Sequence, residues 1–518
     1  MGTVAQFTRH CLVTLGSGAG WILRVLWAAV CFLLNRQDER LHTARFAKAA
    51  ELTHLVSAHP PADGLLLGSR DPTHFLSVRP TQTRRELGNL LVVAPTRGGK
   101  GLLATSQLLS WQHSVVVNDI KGELFTQTAG YRSTLGSVFV IDPTGIGHCY
   151  DPLRGKHTED ELFSAASHLL FKPDEGEGAI FTQRATVMLT QLFLAARREG
   201  QFPLPYVRGI IRLGLQRAAH LLHEVSAELA TQFLDVSFAQ ANFTDRFLLS
   251  AWGTLSARMR PLLTETVVRC FAGSDFSPTQ LMQTDRPISI YLRWPERDLL
   301  ALSPLVRLLW GSLIDELITA YDASQGNKCH PVLLLIDEAG RTAIPSLADH
   351  ATTVVGRGIS LWIAIQSLSQ LEAVYGKARS QVLRDNMESQ IYYRPSNQET
   401  ADYLEHCLGR VSAYAHSTSV REGEETSQGL SEQGIPLMTS QDIKQMQDDA
   451  IIGFHRRLPP FTLKRVDWRA HPLLTKRRSI PSPHLAALPQ LADVPVANER
   501  TLSEQFEQGY IDPDDLLN

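Results

Sequence analysis

Two short stretches of this 518-residue chain combine the residue types that act on phosphate. The first, LLVVAPTRGGKG from Leu90 to Gly101, is an apolar run that breaks into a glycine-rich turn and a lysine. Gly98 and Gly99 let backbone N–H groups converge on a polyphosphate, a helix opening behind them adds partial positive charge, and Lys100 can reach the β and γ oxygens. Pro95, Thr96, Arg97, Gly98, Gly99, Lys100, Gly101 and Leu102 are therefore the nucleotide-binding candidates. The loop departs from the pattern G-x-x-x-x-G-K-[ST] at Ala94, in the first glycine place, and at Gly101, where a hydroxyl normally helps to hold Mg²⁺.

The second stretch, VLLLIDEAG from Val332, ends four or more aliphatics in two carboxylates. This is the complement that a phosphate loop needs: Asp337 to hold the Mg²⁺ water shell, Glu338 to orient and deprotonate an attacking water. Gln366 closes the apolar run Leu361 to Ile365 and can sense a γ-phosphate. Arg357, flanked by glycines in GRG, is a candidate arginine finger of the kind that ring ATPases supply from a neighbouring subunit. The run Ser114 to Val117 leads into NDIKGE, which puts Asp119, a second candidate Mg²⁺ ligand, with Lys121 and Glu123 at the edge where ligands of parallel sheets bind. An acid at a strand end also caps helices, so Asp119 carries a structural reading of equal weight.

These residues need an α/β scaffold of buried parallel strands. Leu90 to Val93, Ser114 to Val117, Ser137 to Ile141, Ile288 to Leu292, Val332 to Ile336 and Leu361 to Ile365 supply near-continuous apolar runs of strand length. From about Leu162 to Arg269 the spacing becomes helical, as in Phe181 to Arg198 and Tyr206 to Val225, and the recurring arginines there read first as a solvated face. The segment Arg410 to Glu432, rich in Ser, Thr, Gly and charge, reads as an exposed loop. Ala450 to Phe454 and Phe461 to Val466 read as late strands, and a proline-punctuated, acidic end reads as a flexible tail.

A formal net charge of −3 means that any nucleic-acid contact must come from a local basic surface or a charged ring interior. Six dispersed cysteines without a C-x-x-C pair fit reduced cytosolic thiols and argue against a metal cluster. Cys11 to Leu34 has the roughly 20 residues that a membrane span requires, although a central arginine such as Arg24 costs about 2.5 to 3.5 kcal/mol on insertion. Arg36, Arg40, Arg45 and Lys48 after it would hold the carboxyl side in the cytosol, and an amphipathic helix lying on the membrane or on another protein is the other reading.

The motifs HTARFA (from His42), APTRGGKG, VVVNDIKGELFTQTAGYR, Asp142-Pro143 followed by YDPL, GSDFSPTQL, LLLIDEAG, GRGISLWIAIQSLSQL and SEQGIPLM resemble those of the type IV coupling proteins of the TraG/TraD family. The likeness runs from about His42 to Leu474, and Asp119 to Arg132 is its most specific part. It implies a RecA-like P-loop NTPase domain (42–160 and 271–475), an inserted all-α domain (161–270), an N-terminal membrane-associated segment (1–41) and a C-terminal tail (476–518). It further implies an ATPase that uses ATP and Mg²⁺ as a homo-hexamer at the bacterial cytoplasmic membrane, with its catalytic domain in the cytosol. Such a motor passes single-stranded DNA with its relaxase, or protein substrates, to the channel proteins of a type IV secretion system. A nucleotide-dependent receptor for protein secretion without DNA translocation is the alternative, and a chromosome-segregation translocase is disfavoured by DIKGELFTQTAGYR. Members typically show two membrane spans where this chain shows one weak stretch, and many carry G-K-G in the loop.

Overall fold

In the computed structural model the described residues are 42–491, less 72, 171–177, 326–328, 342–343, 345 and 420–426, with backbone alone for 415–419 and 427–430. The hydrophobic stretch Cys11 to Leu34, and the acidic end from 492 onward, lie outside the described residues. Among the described residues no helix is long and apolar enough to cross a membrane. The chain divides into two compact units, one of Lys48–Asn397 with the chain from Met446, the other of Gln398–Gln445 with the residues before Lys48.

The strands are β1 (Val56–Ser57), β2 (Leu65–Asp71), β3 (His74–Val78), β4 (Leu90–Val93), β5 (Ser114–Asp119), β6 (Val138–Asp142), β7 (Ile146–Gly147), β8 (Ser289–Arg293), β9 (Val332–Ile336), β10 (Ile359–Ile365), β11 (Ser389–Tyr393), β12 (Arg410–Ser419), β13 (Ser427–Pro436), β14 (Ala450–His455) and β15 (Phe461–Lys464). The larger unit is α/β and is built on one mixed sheet in the order β1-β3-β2-β15-β14-β11-β4-β10-β9-β5-β8-β6-β7. From β11 to β6 neighbouring strands are parallel; from β11 outward through β14, β15, β2, β3 and β1 they are antiparallel.

Every residue of β4, β5, β9 and β10 is buried, because helices cover both faces of the parallel part. That is why these strands read as unbroken apolar runs. Each fully buried Val, Leu or Ile there contributes about 1.5 to 3 kcal/mol relative to exposure. The helix Lys100–Ser110 follows β4, the long helix Leu299–Ser324 follows β8, and Trp310 and Trp362 sit fully buried in the core.

Between Glu159 and Arg269 the described residues form helices and their connections. The expected helical stretch Tyr206 to Val225 is two helices, Pro203–Leu213 and Leu215–Val225, because Gly214 at φ +85°, ψ 170° leaves the helical region. In the smaller unit, the loop expected over Arg410 to Glu432 is instead largely a two-stranded antiparallel ladder of β12 and β13, from Arg410↔Pro436 to Ser419↔Ser427. A ladder satisfies its own backbone groups whatever its polarity, and Ser and Thr hide a strand from a search for apolar alternation.

The segment Asp119 to Arg132 is architectural along most of its length. Asp119 Oδ2 accepts the Phe125 N–H at 2.7 Å, and Gly122 at φ +71° opens the helix Glu123–Leu135. A Cβ on Gly130 would collide with the carbonyl of Ile480, so the glycine lets residues 480–481 lie against the helix. Arg132 is fully buried and donates to Ser289 Oγ at 2.8 Å and to the carbonyls of Trp111 and His113. The tail boundary expected at 476 falls inside the helix Pro472–Arg478, and the chain remains packed to Leu488, whose N–H reaches Gly145 O at 2.8 Å.

Candidate functional site

The phosphate loop leaves the sheet at the carboxyl end of β4, where Ala94 N–H still bonds to Ile365 O of β10 at 3.0 Å. A turn closes with Gly98 N–H on Pro95 O at 2.9 Å, and Arg97 at φ +64° and Gly99 at φ +112° bend the backbone into the helix that starts at Lys100. Left-handed residues in such a turn bring successive N–H groups to one side as an anion cradle. The helix has no side-chain cap and no acidic residue in its first turn, so its leading N–H groups and partial positive charge remain for an anion.

Three adjacent strands complete the site. Asp337 and Glu338 follow β9, Gln366 follows β10 and Lys100 stands behind β4. Lys100 Nζ bonds to Glu338 Oε1 and lies 3.9 Å from Asp337 Oδ1. Gln366 Nε2 donates to Glu338 Oε2 at 3.0 Å, and Gln366 Oε1 accepts from Thr96 Oγ1 at 3.2 Å. Thr96, Gln366, Glu338 and Lys100 thus form one chain of contacts, from residues up to 270 positions apart. Glu338 is 5% exposed and held at φ +59°. Burial works against its charged form, but the hydrogen bond and charge of Lys100, with Gln366, outweigh it and hold the carboxyl below the usual carboxylate range. Burial pushes Asp337 the other way, up to about 6, despite the nearby Lys100.

Asp119 is 2% exposed, and burial raises it to about 6 against the N–H groups of Phe125 and Leu124 that its carboxylate accepts. Among the described residues no three His, Cys, Asp or Glu side chains stand together as a metal cage. Mg²⁺ fits such a donor set, since it is usually held by one or two carboxylates, water and substrate phosphates. Nothing lies within 4 Å of a Cβ built on Gly101, so the place of the absent hydroxyl is open.

Arg357 stands elsewhere. It precedes β10, roughly 20 Å from the strand's carboxyl edge at about 3.3 Å per residue, and its guanidinium forks onto Asp322 at 2.9 and 3.0 Å. It does not join Lys100 and Glu338 of its own chain.

Sequence reasoning missed two features. Asn118 Nδ2 donates to Asp337 O at 3.0 Å, which ties the end of β5 to the carboxylate pair; its place in NDIKGE was the available signal. On the other side of β4, a cavity of about 320 Å³ adjoins the loop between Thr96, Arg97, Tyr393, Arg394, Asp448 and Arg465. Arg465 Nη1 reaches Gly98 O at 3.4 Å, and a Cβ on Gly99 would collide with Arg465 Cδ. No local pattern links residues that lie 367 positions apart.

Residues 63–489 match the family model described as Type IV secretory system Conjugative DNA transfer. The chain is 28% identical over 466 residues to VirD4 of Rhizobium radiobacter, across 84% of this chain and 65% of that protein. It is 29% identical over 363 residues to the conjugal transfer protein TraG of Escherichia coli, across 62% of this chain and 55% of that one. The chain thus spans a little under two thirds of the length of this VirD4, and less of TraG. Among solved structures, the bacterial conjugative coupling protein TrwBdeltaN70 in its unbound form superposes with a TM-score of 0.60 at 17% identity, over 82% of this chain and 94% of that one. TrwB in complex with ADP and Mg²⁺ gives 0.57 at 17% identity, over 83% and 94%. At that identity the likeness to the solved structures is one of fold.

Proposed function

The chain belongs to the type IV secretory system conjugative DNA transfer family, and from that membership and the site geometry we propose that it is an ATP-driven coupling protein. It recruits relaxase-bound DNA, or a protein substrate, and delivers it to a type IV secretion channel. The observation that carries the reading is the contact of Lys100, Glu338, Gln366 and Thr96 at the carboxyl ends of three adjacent strands. A phosphate loop, a carboxylate pair and a polar amide that senses phosphate are the parts from which ATP-driven motors are built.

In this reading the N–H groups of Gly99 to Gly101 receive the phosphates, and Lys100 leaves Glu338 for the β and γ oxygens. The released Glu338 takes a proton from water, while Gln366, already bonded to Glu338 and Thr96, holds the water in line. Asp337, with Asp119 behind it, would hold the water shell of a Mg²⁺ ion, which would supply positive charge to offset that of the phosphates. The α/β unit serves as a RecA-like motor, residues 161–270 as an all-α domain and residues 1–41 as the membrane-associated segment, with a homo-hexameric ring as the working assembly. Arg357, remote from its own site, then acts on the site of a neighbour. TrwB has been solved with ADP and Mg²⁺, with a non-hydrolysable ATP analogue and with a non-hydrolysable GTP analogue, which supports a nucleotide at this site.

The test is ATP turnover of the full chain with and without single- and double-stranded DNA. Strong stimulation by single-stranded DNA is expected. Turnover indifferent to DNA, together with binding of a protein substrate, would refute the DNA-handling part in favour of a secretion receptor.

A further inference from the structure

The long helix Leu299–Ser324 carries a cation that the rest of the chain does not answer. Arg307, on its third turn, is half-buried, and among the described residues it makes no hydrogen bond and no ion pair; its Nε is shielded from water without a partner. Burial alone lowers its pKa, and no carboxylate offsets that cost. Charges taken out of water are otherwise nearly always paired.

Arg307 lines a cavity of about 120 Å³ where three helices meet. The helix Glu159–Leu170, the first of the helical stretch that interrupts the sheet, packs on Leu299–Ser324 and contributes His168. The helix Leu347–Thr353, between β9 and β10, contributes His350. Among the described residues neither imidazole has a hydrogen-bond partner. Burial is the main cause that lowers the pKa of each, with Lys156 and Arg307 adding to it at His168, and Asp315 and Asp349 working against it at His350. Both rings are therefore neutral near pH 7 and keep an N–H to donate. Lys156 stands at the same cavity, paired with Asp315 of the rim at 3.4 Å. Nothing lies within 4 Å of a Cβ built on Gly311, so bare helix backbone leaves the middle of the cavity open.

We infer that this cavity binds a single phosphate group, with Arg307 as its principal partner and His168, His350 and Lys156 around it. The planar guanidinium fork matches two phosphate oxygens, and two imidazole N–H groups and an ammonium serve the others. A carboxylate, with two oxygens, would leave part of that donor set unused. The volume is room for several waters but far below the roughly 300 Å³ at which sites for whole small molecules begin, so a nucleotide does not fit. Ser164, His168, Asp315 and Ser346 are exposed at the rim, so the group can enter as inorganic phosphate or be presented by a nucleic-acid backbone. The site is separate from the phosphate loop and does not depend on it. A phosphate bound there would tie the inserted helices to Leu347–Thr353, the helix that connects Glu338 to Gln366 in the chain.

The test measures binding of inorganic phosphate to the full chain by calorimetry, with a saturating non-hydrolysable ATP analogue to keep the phosphate loop occupied. The wild type should bind one phosphate with a Kd on the order of 1 mM, and phosphate should raise its Tm. Arg307→Gln should weaken binding by ~10- to 100-fold, the effect of losing a charged hydrogen bond. Without phosphate its Tm should be unchanged or higher, because an unpaired half-buried charge is removed. Gly311→Leu, which fills the cavity and leaves the charges in place, should lose the same ligand and decides the matter if Arg307→Gln does not fold. A single-stranded oligothymidylate separates the two sources. If Arg307→Gln weakens it and phosphate competes with it, the group is a backbone phosphate; if oligonucleotide affinity is unchanged while inorganic phosphate is lost, the ligand is the free ion. A wild type that binds neither ligand, or affinities that neither variant alters, overturns the inference. So does phosphate binding that Lys100→Ala removes and Arg307→Gln does not, since that binding belongs to the loop. If the wild type fails to bind the ATP analogue, the phosphate-loop reading falls, and Arg307→Gln and Gly311→Leu still decide this one.

Discussion

Replacing Glu338 by Gln tests the centre of the proposed chemistry, because it keeps the shape of the side chain while removing both a base and a competitor. Glu338 is 5% exposed and is bonded to Lys100 and to Gln366. The amide of Gln can accept one of these bonds but cannot take a proton from water, and the loss of a positioned base typically slows a reaction by ~10² to 10⁴. Turnover should therefore fall at least ~100-fold. The second consequence is less obvious. Lys100 is held by a charge-assisted hydrogen bond to Glu338, of a type worth about 1.5 to 3 kcal/mol, and a phosphate must displace it.

An amide oxygen still accepts from Lys100, so only part of that energy is released. At 1.4 kcal/mol per tenfold, ATP affinity should rise by ~3- to 10-fold. Phosphate release and calorimetric ATP binding on the same preparation, with circular dichroism to establish folding, read both effects. Turnover within ~3-fold of wild type in a folded protein would place the base elsewhere, with Glu123 the next carboxylate to examine. Weakened ATP binding would show that Lys100 and Glu338 do not compete in the way the geometry indicates.

Gly101→Ser restores the usual hydroxyl where a Cβ meets nothing within 4 Å; thermal stability should be unchanged, and the Mg²⁺ concentration for half-maximal turnover should fall, whereas a weaker Mg²⁺ response would deny that position any part in metal binding. Arg357→Ala should leave ATP affinity intact but remove most turnover of the assembled ring, and mixing with Lys100→Ala subunits should restore part of it; wild-type turnover by the variant alone would end its candidacy as a finger. His455 is 3% exposed and bonded to Ser389 Oγ at 2.8 Å, with its pKa lowered to about 4 chiefly by burial. Its neutral form is favoured by folding, so on the order of 3 kcal/mol of stability, present above pH 6.5, should be lost as pH falls toward 4; His455→Gln should flatten that part of a denaturation-versus-pH series, and an unchanged slope would assign the acid sensitivity to other groups.

What the sequence showed directly was whatever is encoded locally. A strand buried on both faces must be apolar at every position, so β4, β5, β9 and β10 announced themselves, and their carboxyl ends carried Lys100, Asp119, Asp337, Glu338 and Gln366 to one edge. The hairpin of β12 and β13 was hidden because its pairing depends on backbone groups that every sequence possesses. Arg465 and Tyr393 were hidden for a different reason. Their approach to the loop follows from the antiparallel extension of the sheet through β14 and β15, and no spacing between residues 98 and 465 records it. Arg357 ends the short helix Val355–Arg357 that precedes β10, and only the fold reveals that this end of the strand lies opposite the loop.

The most family-specific stretch of the chain also illustrates how far a motif can stand from the reaction. Asp119 bonds to the Phe125 N–H, Thr128 shares a 2.6 Å hydrogen bond with the Tyr291 hydroxyl, and Arg132 spends its buried guanidinium on Ser289 and two carbonyls. Gly130 admits the backbone of residues 480–481, and Tyr131 receives the guanidinium of Arg477 over its ring at 4.5 Å. The glycine and the tyrosine therefore face the segment Pro472 to Leu488, while Asp119 at the other end of the same stretch holds the backbone of Phe125. The helix Glu123–Leu135 lies between the two, so the packing of the C-terminal segment and the hydrogen bond of Asp119 are tied to the same element. A phosphate loop and a carboxylate pair recur in many folds; in this chain the residues from Asp119 to Arg132 build the support behind them.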